Sequence, residues 1–385
     1  MADIKRVVSK IVRMFKSSNA HSSNLLSVPL HNPSLPSPLV GEGALKGWMR
    51  GKKLIKPLTR LFETCSNTRG EGKASSQSKQ PLPLRMSIIS PRAISWPSSK
   101  LAGAFNRKSI TRQIDAELLR RNLENPIIWT SLPTSIDVIE AFQSTPVIYY
   151  CGDDFGALEG VDHAPVKRME DRLSARANTI LTASENLAQK FSTAKTTHLP
   201  HGVDLNLFQM PVPRPQDLPD SSKVAGFYGS ISSWIDVEAI TKTAKLMPDW
   251  TFVLIGAIRT DITCLKAVPN IQLLGEKPHN ALPAYVQHWN VSLLPFKNTP
   301  QIQACNPLKL REYLSVGTPI VSTYFKALEP YLDLVKTAEY GPDYRKQILL
   351  AAMDTARNSH RSASVAHESW DQRAADIETI LERFE

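Results

Sequence analysis

From residue 223 onward, short apolar runs alternate with polar stretches of helical periodicity. Each apolar run has the length and β-branched content of a buried strand, and most end at Gly or Pro. The predicted strands are Lys223–Gly229, Thr251–Gly256, Asn270–Leu274, Asn290–Pro295 and Pro319–Ser322, and the predicted helices are Asp236–Leu246, Ile262–Ala267, Leu282–Gln287 and Pro307 to Gly317. This alternation predicts βαβ units and a parallel sheet, in which ligands bind at the carboxyl ends of the strands.

A similar but shorter alternation precedes this region. The predicted strands are Leu84–Ser90, Pro126–Thr130, Pro146–Cys151 and Asn178–Ala183, with helices at about 107–122 and at Ser135–Phe142, and two helices, Asp343–Thr355 and His367–Phe384, follow the second sheet. The proline-rich stretch from Pro211 to Pro219 is typical of a stiff linker. We therefore predict an α/β protein with a Rossmann-like, doubly wound domain at 81–210, a linker at 211–222, a second such domain at 223–365 and a final helix at 366–385.

The helix that begins near Pro307 carries the main candidate chemistry. A helix start offers free backbone N–H groups and the positive end of a dipole, which together suit a phosphate. Lys309 could reach the phosphates of a nucleotide, and Glu312, one turn later, could accept hydrogen bonds from ribose hydroxyls. From these residues alone, an ordinary connection between a helix and a strand in a doubly wound domain is the favoured interpretation.

The other strand ends support a site for an anionic ligand, because they are rich in glycine and carry basic side chains. The residues predicted to bind the donor are Gly229, Ser230, Gly256, Arg259, Lys277, Lys297, Asn306, Pro307, Leu308, Lys309 and Glu312.

At this point the sequence resembles a known family. The segments that carry the resemblance are Gly226–Asp236, Pro248–Gly256, Pro269–Gly275, Leu282–Tyr285, Ser292–Phe296 and Pro307–Leu314, together with Tyr149–Phe155, Glu170–Ala177, Leu181–Glu185 and Leu199–Phe208 upstream. In order and spacing they are similar to GT-B glycosyltransferases of the retaining "glycosyl transferases group 1" type, including bacterial surface-polysaccharide enzymes of the teichuronic-acid type. The resemblance covers roughly residues 84 to 340.

The resemblance implies two Rossmann-like domains that face a cleft, with the nucleotide-sugar held by the second and the acceptor by the first. It also implies a final helix that crosses back to the first domain. The expected reaction moves a hexosyl-type sugar from an NDP-sugar to a glycan or lipid-linked glycan in bacterial surface polysaccharide biosynthesis, with retention. The NDP-sugar is a co-substrate, and neither a cofactor nor a metal ion is expected.

Two departures from the family pattern leave alternatives open. The family has two glutamates separated by seven residues; Glu312 takes the second position, but the first falls on Ala304. Ser230 and Trp234 stand near where a basic pair is usual. A catalytically impaired GT-B relic or scaffold, which binds a nucleotide or a partner without turnover, is therefore the main alternative. Another GT-B chemistry, such as sugar-nucleotide epimerisation or phosphorolysis, is a further one.

Asp153 and Asp154 complete the residues predicted to act in catalysis, beside Lys309. They follow a predicted strand, where an acidic pair could orient a sugar hydroxyl or the acceptor nucleophile, and the resemblance puts them beside the cleft. The alternative is a helix or turn cap. His163 and His201 are further candidates, although His201 lies in a Pro-His-Gly-Val-Asp turn and is more typical of a turn residue.

Composition fits an intracellular two-domain protein. The chain has 385 residues, which suits two domains of usual size. Its four cysteines have no paired or metal-like spacing, so we expect a reducing compartment without disulfides or a zinc site. No run approaches the roughly 20 apolar residues of a membrane-spanning helix, and the N-terminus lacks the apolar core of a secretory signal.

The positive charge is concentrated at the N-terminus. Residues 1–80 contain 14 Lys and Arg against 4 Asp and Glu, which accounts for the net charge of +10 of the chain. Residues 4–15 and 44–62 are basic and amphipathic, and such helices can bind an anionic membrane surface; for Ile4–Phe15, a terminal helix packed on the domain is an equal alternative. No nucleic-acid motif is present, and we expect no nucleic-acid partner. The localisation that we predict is cytoplasmic, with peripheral contact at the inner face of the cell membrane.

The segments Ser17–Gly43 and Cys65–Gln80 are polar and read as linkers with little order. Residues 1–80 are thus predicted to be a basic, partly disordered tail. The opening strand, loop and helix of the family are not visible there, so the first domain either lacks its first βα unit or has it replaced by helices of the tail.

Overall fold

The computed structural model describes residues 25–27, 89, 91, 93, 94, 100–339, 341–354, 356 and 358–384. The strands are β1 Leu25–Ser27, β2 Ile127–Thr130, β3 Val147–Cys151, β4 Thr179–Thr182, β5 Thr196–His198, β6 Val224–Tyr228, β7 Thr251–Ile255, β8 Ile271–Gly275, β9 Val291–Leu294, β10 Ile320–Ser322 and β11 Val335–Thr337. The helices are α1 Lys100–Arg121, α2 Ile136–Ile139, α3 His163–Arg176, α4 Glu185–Ala188, α5 Leu205–Gln209, α6 Val237–Lys245, α7 Thr263–Lys266, α8 Leu282–Val286, α9 Pro300–Ala304, α10 Leu308–Val316, α11 Gly341–Met353, α12 Asn358–Ser364 and α13 Trp370–Leu381. Short 3₁₀ turns lie at Pro133–Ser135, His279–Ala281, Lys326–Tyr331 and Glu382–Phe384.

The strands form two sheets whose registered pairs are parallel. The first has the order β1-β2-β3-β4-β5 and the second the order β11-β10-β9-β6-β7-β8. In the second sheet the chain runs outward from β6 through β7 to β8, and then returns to β9 on the other side of β6. The order therefore reverses between β6 and β9, and such a switch point is where open α/β sheets bind ligands.

The chain divides into two compact units. The first comprises Met1–Tyr149 and Glu159–Asn178, and the second comprises Tyr150–Leu158 and Thr179–Glu385. In the first unit Ile110 and Ile114 of α1 pack with Val138 of α2. Residues 211–222, the predicted linker, contain no helix or strand and lie within the second unit.

The core of the second unit is a continuous apolar layer. The central strands β6, β7 and β9 are buried almost throughout, as their near-continuous apolar sequences require. A Cβ added to Gly226 in the middle of β6 would lie 1.8 Å from the Trp289 ring, so that strand passes too close to the indole for any side chain. No helix among the described residues has the length and apolar character needed to cross a membrane.

The predicted strands and helices of the second sheet are confirmed, with ends that differ by one or two residues. The strands β5 and β11 and the helices α4, α5, α9 and α12 were not predicted. Each has three to seven residues, too few for a clear hydrophobic period. The basic helix predicted at about 107–122 begins earlier, at Lys100.

The prediction of a linker over Ser17–Gly43 is wrong at Leu25–Ser27. These residues form β1, which pairs in parallel with β2 so that Leu25 lies opposite Ile127. The unpaired edge of β2 supplies the hydrogen bonds, and such a partner cannot be read from three residues of local sequence. The predicted strand Leu84–Ser90, apart from Ile89, and the amphipathic stretches 4–15 and 44–62 lie outside the described residues.

Candidate functional site

Two glycines end the strands β6 and β7 at the carboxyl edge of the second sheet. Gly229 has φ of +135° and Gly256 has φ of +143°, a backbone conformation that other residues rarely adopt. A Cβ on Gly256 would lie 2.0 Å from the carbonyl oxygen of Gly229. The N–H of Gly229 donates to Ile255 and that of Gly256 to Gly275, both at 2.8 Å. The two strand ends are therefore held together with no room for side chains.

Helix α10 begins next to this edge. Pro307 is its N-cap residue, with extended backbone, and Gly317 ends it in the left-handed conformation, with φ of +84°. Proline enters a helix without the loss of a hydrogen bond, and glycine adopts positive φ at little cost. The first N–H groups of a helix have no acceptor within it, so a helix start such as that of α10 is suited by position to bind an anion.

The side chain of Lys309 lies at the end of β6. A Cβ added to Gly229 would be 2.8 Å from Lys309 Nζ, so the ammonium group lies directly beside that glycine. The same Nζ is 5.8 Å from the ring centre of Phe227, in β6, and 5.9 Å from that of Phe296, which follows β9. The fold thus brings the basic group to the switch point of the sheet, beside the positive end of α10.

Glu312, one turn further along α10, is buried, with 5% of its surface exposed. Its Oε2 accepts a hydrogen bond of 2.5 Å from the hydroxyl of Tyr228, and its Oε1 lies 2.7 Å from Nε2 of His279. The predicted ribose acceptor is therefore already held by two protein groups. His279 was missed by sequence reasoning, although its place just after Lys277 and the strand β8 is a signal that could have found it.

Asn306 is buried at the start of α10, and both the nitrogen and the oxygen of its side chain bind other protein groups. Its amide donates to the carbonyl of Ala183, and its oxygen accepts from Arg311. Nε of Arg311 lies 2.5 Å from Glu368, which also accepts from the hydroxyl of Tyr331. Asn306 therefore anchors the helix start through its side chain. Sequence reasoning missed Arg311 and Glu368, because they are 57 positions apart.

The other predicted basic residues have different surroundings. Lys277 forms an ion pair of 2.6 Å with Asp217, which lowers the pKa of that carboxyl through the hydrogen bond. Arg259 and Lys297 are exposed, and their backbone N–H groups donate to Ile231 and Trp234.

Ser230, in the loop after β6, forms a hydrogen bond within that loop. Its hydroxyl lies 2.8 Å from the hydroxyl of Ser232.

Asp154 has the turn role that was the alternative for it. Its Oδ1 accepts from the N–H of Gly156 at 3.1 Å and from Lys190 Nζ at 2.7 Å. Asp153 is exposed, and its negative charge acts on Cys305, just before α10. Burial, and to a smaller extent the Asp153 carboxylate, raise the pKa of the Cys305 thiol to about 12. Asp153 is therefore the member of the pair that lies near the helix start.

Ala304, which stands at the position of the first family glutamate, is the last residue of α9 and is buried. Its carbonyl accepts from the hydroxyl of Ser184 at 2.7 Å. Among the described residues, no group of three or more His, Cys, Asp and Glu side chains could hold a metal ion.

The two candidate histidines differ. His163 is the exposed first residue of α3. Nδ1 of His201 lies 3.1 Å from the hydroxyl of Tyr150. Burial, with a smaller contribution from Arg311, lowers the pKa of His201 to about 3. A histidine with so low a pKa stays neutral at physiological pH, which fits a packed turn residue.

Known proteins give a consistent picture. A protein of Bacillus subtilis (strain 168), "Putative teichuronic acid biosynthesis glycosyltransferase TuaH", is 29% identical over 240 residues, which are 55% of this chain and 59% of that protein. The chain thus spans less than two thirds of the length of that relative. No protein-family model matches the sequence.

Solved structures are similar over most of the chain at low sequence identity. Sucrose-phosphate synthase from Thermosynechococcus elongatus has a TM-score of 0.61 and 14% identity, and the match covers 79% of this chain and 84% of that one. Anabaena HepE, in complex with UDP and glucose, has a TM-score of 0.58 and 15% identity, over 77% and 85%. A UDP-forming α,α-trehalose-phosphate synthase from Burkholderia vietnamiensis has a TM-score of 0.56 and 13% identity, over 74% and 79%.

The chain has the GT-B fold. In the GT-B architecture of this chain, the paired glycines, the start of α10 and Lys309 all lie at the switch point of the second sheet. The fold predicted from the resemblance is confirmed. The roles of the individual site residues stay predictions.

Proposed function

We propose that this protein is a glycosyltransferase that moves a sugar from an NDP-sugar to a glycan or lipid-linked glycan in bacterial surface polysaccharide biosynthesis. The observation that carries the proposal is Lys309 Nζ beside Gly229, at the switch point and next to the start of α10. Further support comes from the similarity to a protein named for teichuronic acid biosynthesis. It also comes from Anabaena HepE, a GT-B protein in complex with UDP and glucose.

In the proposed reaction the bond between the anomeric carbon and the diphosphate oxygen breaks, a bond to the acceptor oxygen forms, and the proton of the acceptor hydroxyl passes to the departing diphosphate. The N–H groups of Leu308 and Lys309 and the Lys309 ammonium stabilise the charge that develops on the departing diphosphate. Such electrostatic stabilisation by groups fixed in advance is the largest contribution in many enzymes. Asp153 is proposed to orient the acceptor. Retention and independence of metal ions, both implied by the family resemblance, are part of the proposal.

Calorimetric titration with UDP, GDP, ADP and their sugar conjugates tests the donor site. We expect one nucleotide to bind, and Lys309→Ala to weaken it by roughly tenfold or more, since a charge-assisted hydrogen bond contributes about 1.5–3 kcal/mol. Lys242→Ala removes an equally charged side chain on the surface of α6 and should leave the affinity unchanged. Equal affinities of wild type and Lys309→Ala would count against the site.

Turnover separates the enzyme from the scaffold alternative that Ala304 raises. Release of the nucleoside diphosphate from the bound NDP-sugar in the presence of lipid-linked acceptor, followed by NMR of the product anomer, tests both transfer and retention. Assays with and without EDTA test the requirement for metal. Nucleotide binding without turnover under any of these conditions would favour the scaffold.

We also propose peripheral contact with the inner face of the cell membrane, which fits a lipid-linked acceptor. Support comes from the basic amphipathic sequence of residues 4–15 and 44–62. Helix α1 adds three exposed apolar side chains among basic ones, Leu101, Phe105 and Leu119. Co-sedimentation with phosphatidylglycerol and phosphatidylcholine vesicles tests this, with Met353→Ser as a control for the loss of an exposed apolar side chain. Binding to neither vesicle would refute it.

A further inference from the structure

The carboxylate of Glu312 is fixed by one group on each oxygen. Tyr228 holds Oε2 at 2.5 Å and His279 holds Oε1 at 2.7 Å. An ionised carboxylate can only accept hydrogen bonds, so the hydroxyl of Tyr228 and Nε2–H of His279 are the donors. Each carboxylate oxygen can accept more than one hydrogen bond, so these two bonds do not by themselves prevent contact with a ligand.

The two donors come from different parts of the second unit. Tyr228 ends β6, and its ring packs against Tyr313 at 5.0 Å and Trp289 at 6.3 Å between centres. His279 begins the short 3₁₀ turn after β8, and its ring packs edge-on against Phe208 at 5.4 Å. The side chain of His279 is 25% exposed and that of Glu312 is 6% exposed. His279 is thus the member of the group that lies nearer to solvent.

Two fixed bonds matter because the last torsion of a glutamate is soft. Rotation about χ3 is broad and roughly two-fold, so one hydrogen bond alone leaves the plane of the carboxylate poorly determined. A second bond, to the other oxygen, fixes the plane of the carboxylate and with it the directions in which its oxygens accept hydrogen bonds. In this way a neighbouring group fixes the orientation of a binding residue without touching the ligand.

We propose that His279 is a positioning residue, which fixes the Glu312 carboxylate in the orientation in which it receives the ribose hydroxyls of the donor nucleotide. This inference rests on the proposed function, because it takes Glu312 as the ribose contact. It gives His279, a loop residue outside the sequence motifs, a role in the recognition of ribose. The same Glu312 group then distinguishes a ribonucleotide from one that lacks the hydroxyls.

Calorimetric titration of the full-length protein with UDP and 2′,3′-dideoxy-UDP tests the inference, or with the corresponding pair for whichever base binds. We expect His279→Ala to weaken the ribonucleotide roughly tenfold, as loss of about 1.4 kcal/mol implies, and to change the dideoxynucleotide less than about twofold. His279→Gln, whose amide can donate to Glu312, should recover part of the loss. In a Glu312→Gln background, His279→Ala should add no further loss.

His288 provides a matched control. Its Nε2 contacts the carbonyl of Val212 at 2.8 Å, away from Glu312, so His288→Ala should leave the ratio of the two affinities unchanged. Thermal unfolding of each variant shows whether a change in affinity follows from a loss of folding.

The outcomes separate the inference from the function on which it rests. If Glu312→Gln reduces the preference for ribose and His279→Ala does not, the inference is wrong and the donor site stands. Equal weakening of both nucleotides by His279→Ala would also overturn it, since that is the effect of a purely structural residue. If Glu312→Gln leaves the preference unchanged, or the wild type binds no nucleotide, the assignment of Glu312 fails and the inference fails with it.

Discussion

Replacement of Glu368 by glutamine should destabilise the protein strongly, because it leaves a buried guanidinium group without its carboxylate. Arg311 and Glu368 form an ion pair of 2.5 Å, and their side chains are only 6% and 8% exposed. Tyr331 donates to the other oxygen of Glu368, and Arg373 lies 3.8 Å from the oxygen that Arg311 contacts. The variant keeps the shape of the side chain and removes the charge.

The expected size follows from burial. Removal of one partner from a buried ion pair costs about 3–5 kcal/mol, because the other charge stays desolvated. For a unit of this length, each kcal/mol lowers the melting temperature by about 2–4 °C, so Glu368→Gln should lower it by about 6–20 °C. The exposed pair Lys326–Glu329 is a matched control, since its side chains are 43% and 41% exposed. Glu329→Gln should cost no more than about 1 kcal/mol.

Differential scanning calorimetry of the wild type and both glutamine variants measures these costs. The double variant Arg311→Met with Glu368→Leu should unfold at a higher temperature than Glu368→Gln, because no unpaired charge remains. A melting temperature for Glu368→Gln that equals that of Glu329→Gln would refute the reasoning. Because Arg311 also binds Asn306, Glu368→Gln should in addition weaken nucleotide binding at the start of α10.

Three further predictions concern backbone and charge. Gly256→Ala should reduce the yield of folded protein and lower its melting temperature, because the new Cβ would lie 2.0 Å from the Gly229 carbonyl; an unchanged melting curve would contradict this. Gly103→Ala, in the exposed α1 with nothing within 4 Å, should instead raise the free energy of unfolding by about 0.5–1 kcal/mol in denaturant titration. His201 has its pKa lowered to about 3 by burial, so the unfolded chain binds the extra proton first as pH falls below about 6.5. Between pH 7 and pH 5, the melting temperature of the wild type should therefore fall further than that of His201→Gln. Equal falls would show that His201 is not buried as a neutral group.

The central strands of the second sheet, β6, β7 and β9, could be predicted from sequence because each is a continuous apolar run that must be buried on both faces. The run of β6, Val224–Tyr228, is buried at every position, and so is that of β9. The ends of α10 could be predicted for a different local reason. Pro307 cannot donate within a helix, and Gly317 adopts the left-handed conformation that ends one.

The sequence places more candidate residues at the strand ends than the structure brings together in one site. Gly229, Gly256 and Lys309 meet at one point, whereas Lys277 is paired with Asp217. The sequence pattern places a residue at the end of a strand, but it does not determine the neighbour to which a flexible side chain turns. The switch point determines which of these candidate residues lie together, and its position depends on the order of strands in the sheet.

The sequence by itself determined the class of fold, the succession of its strands and helices, and the basic helix start that is the candidate site. Those features depend on burial patterns and caps that extend over a few neighbouring residues. Only the tertiary structure decided that Glu312 is held by His279, 33 positions away, and that Arg311 is paired with Glu368, 57 positions away. Such contacts connect polar residues with no periodicity between them. They form because folding brings the two groups together and buries them, so that each must be satisfied by the other.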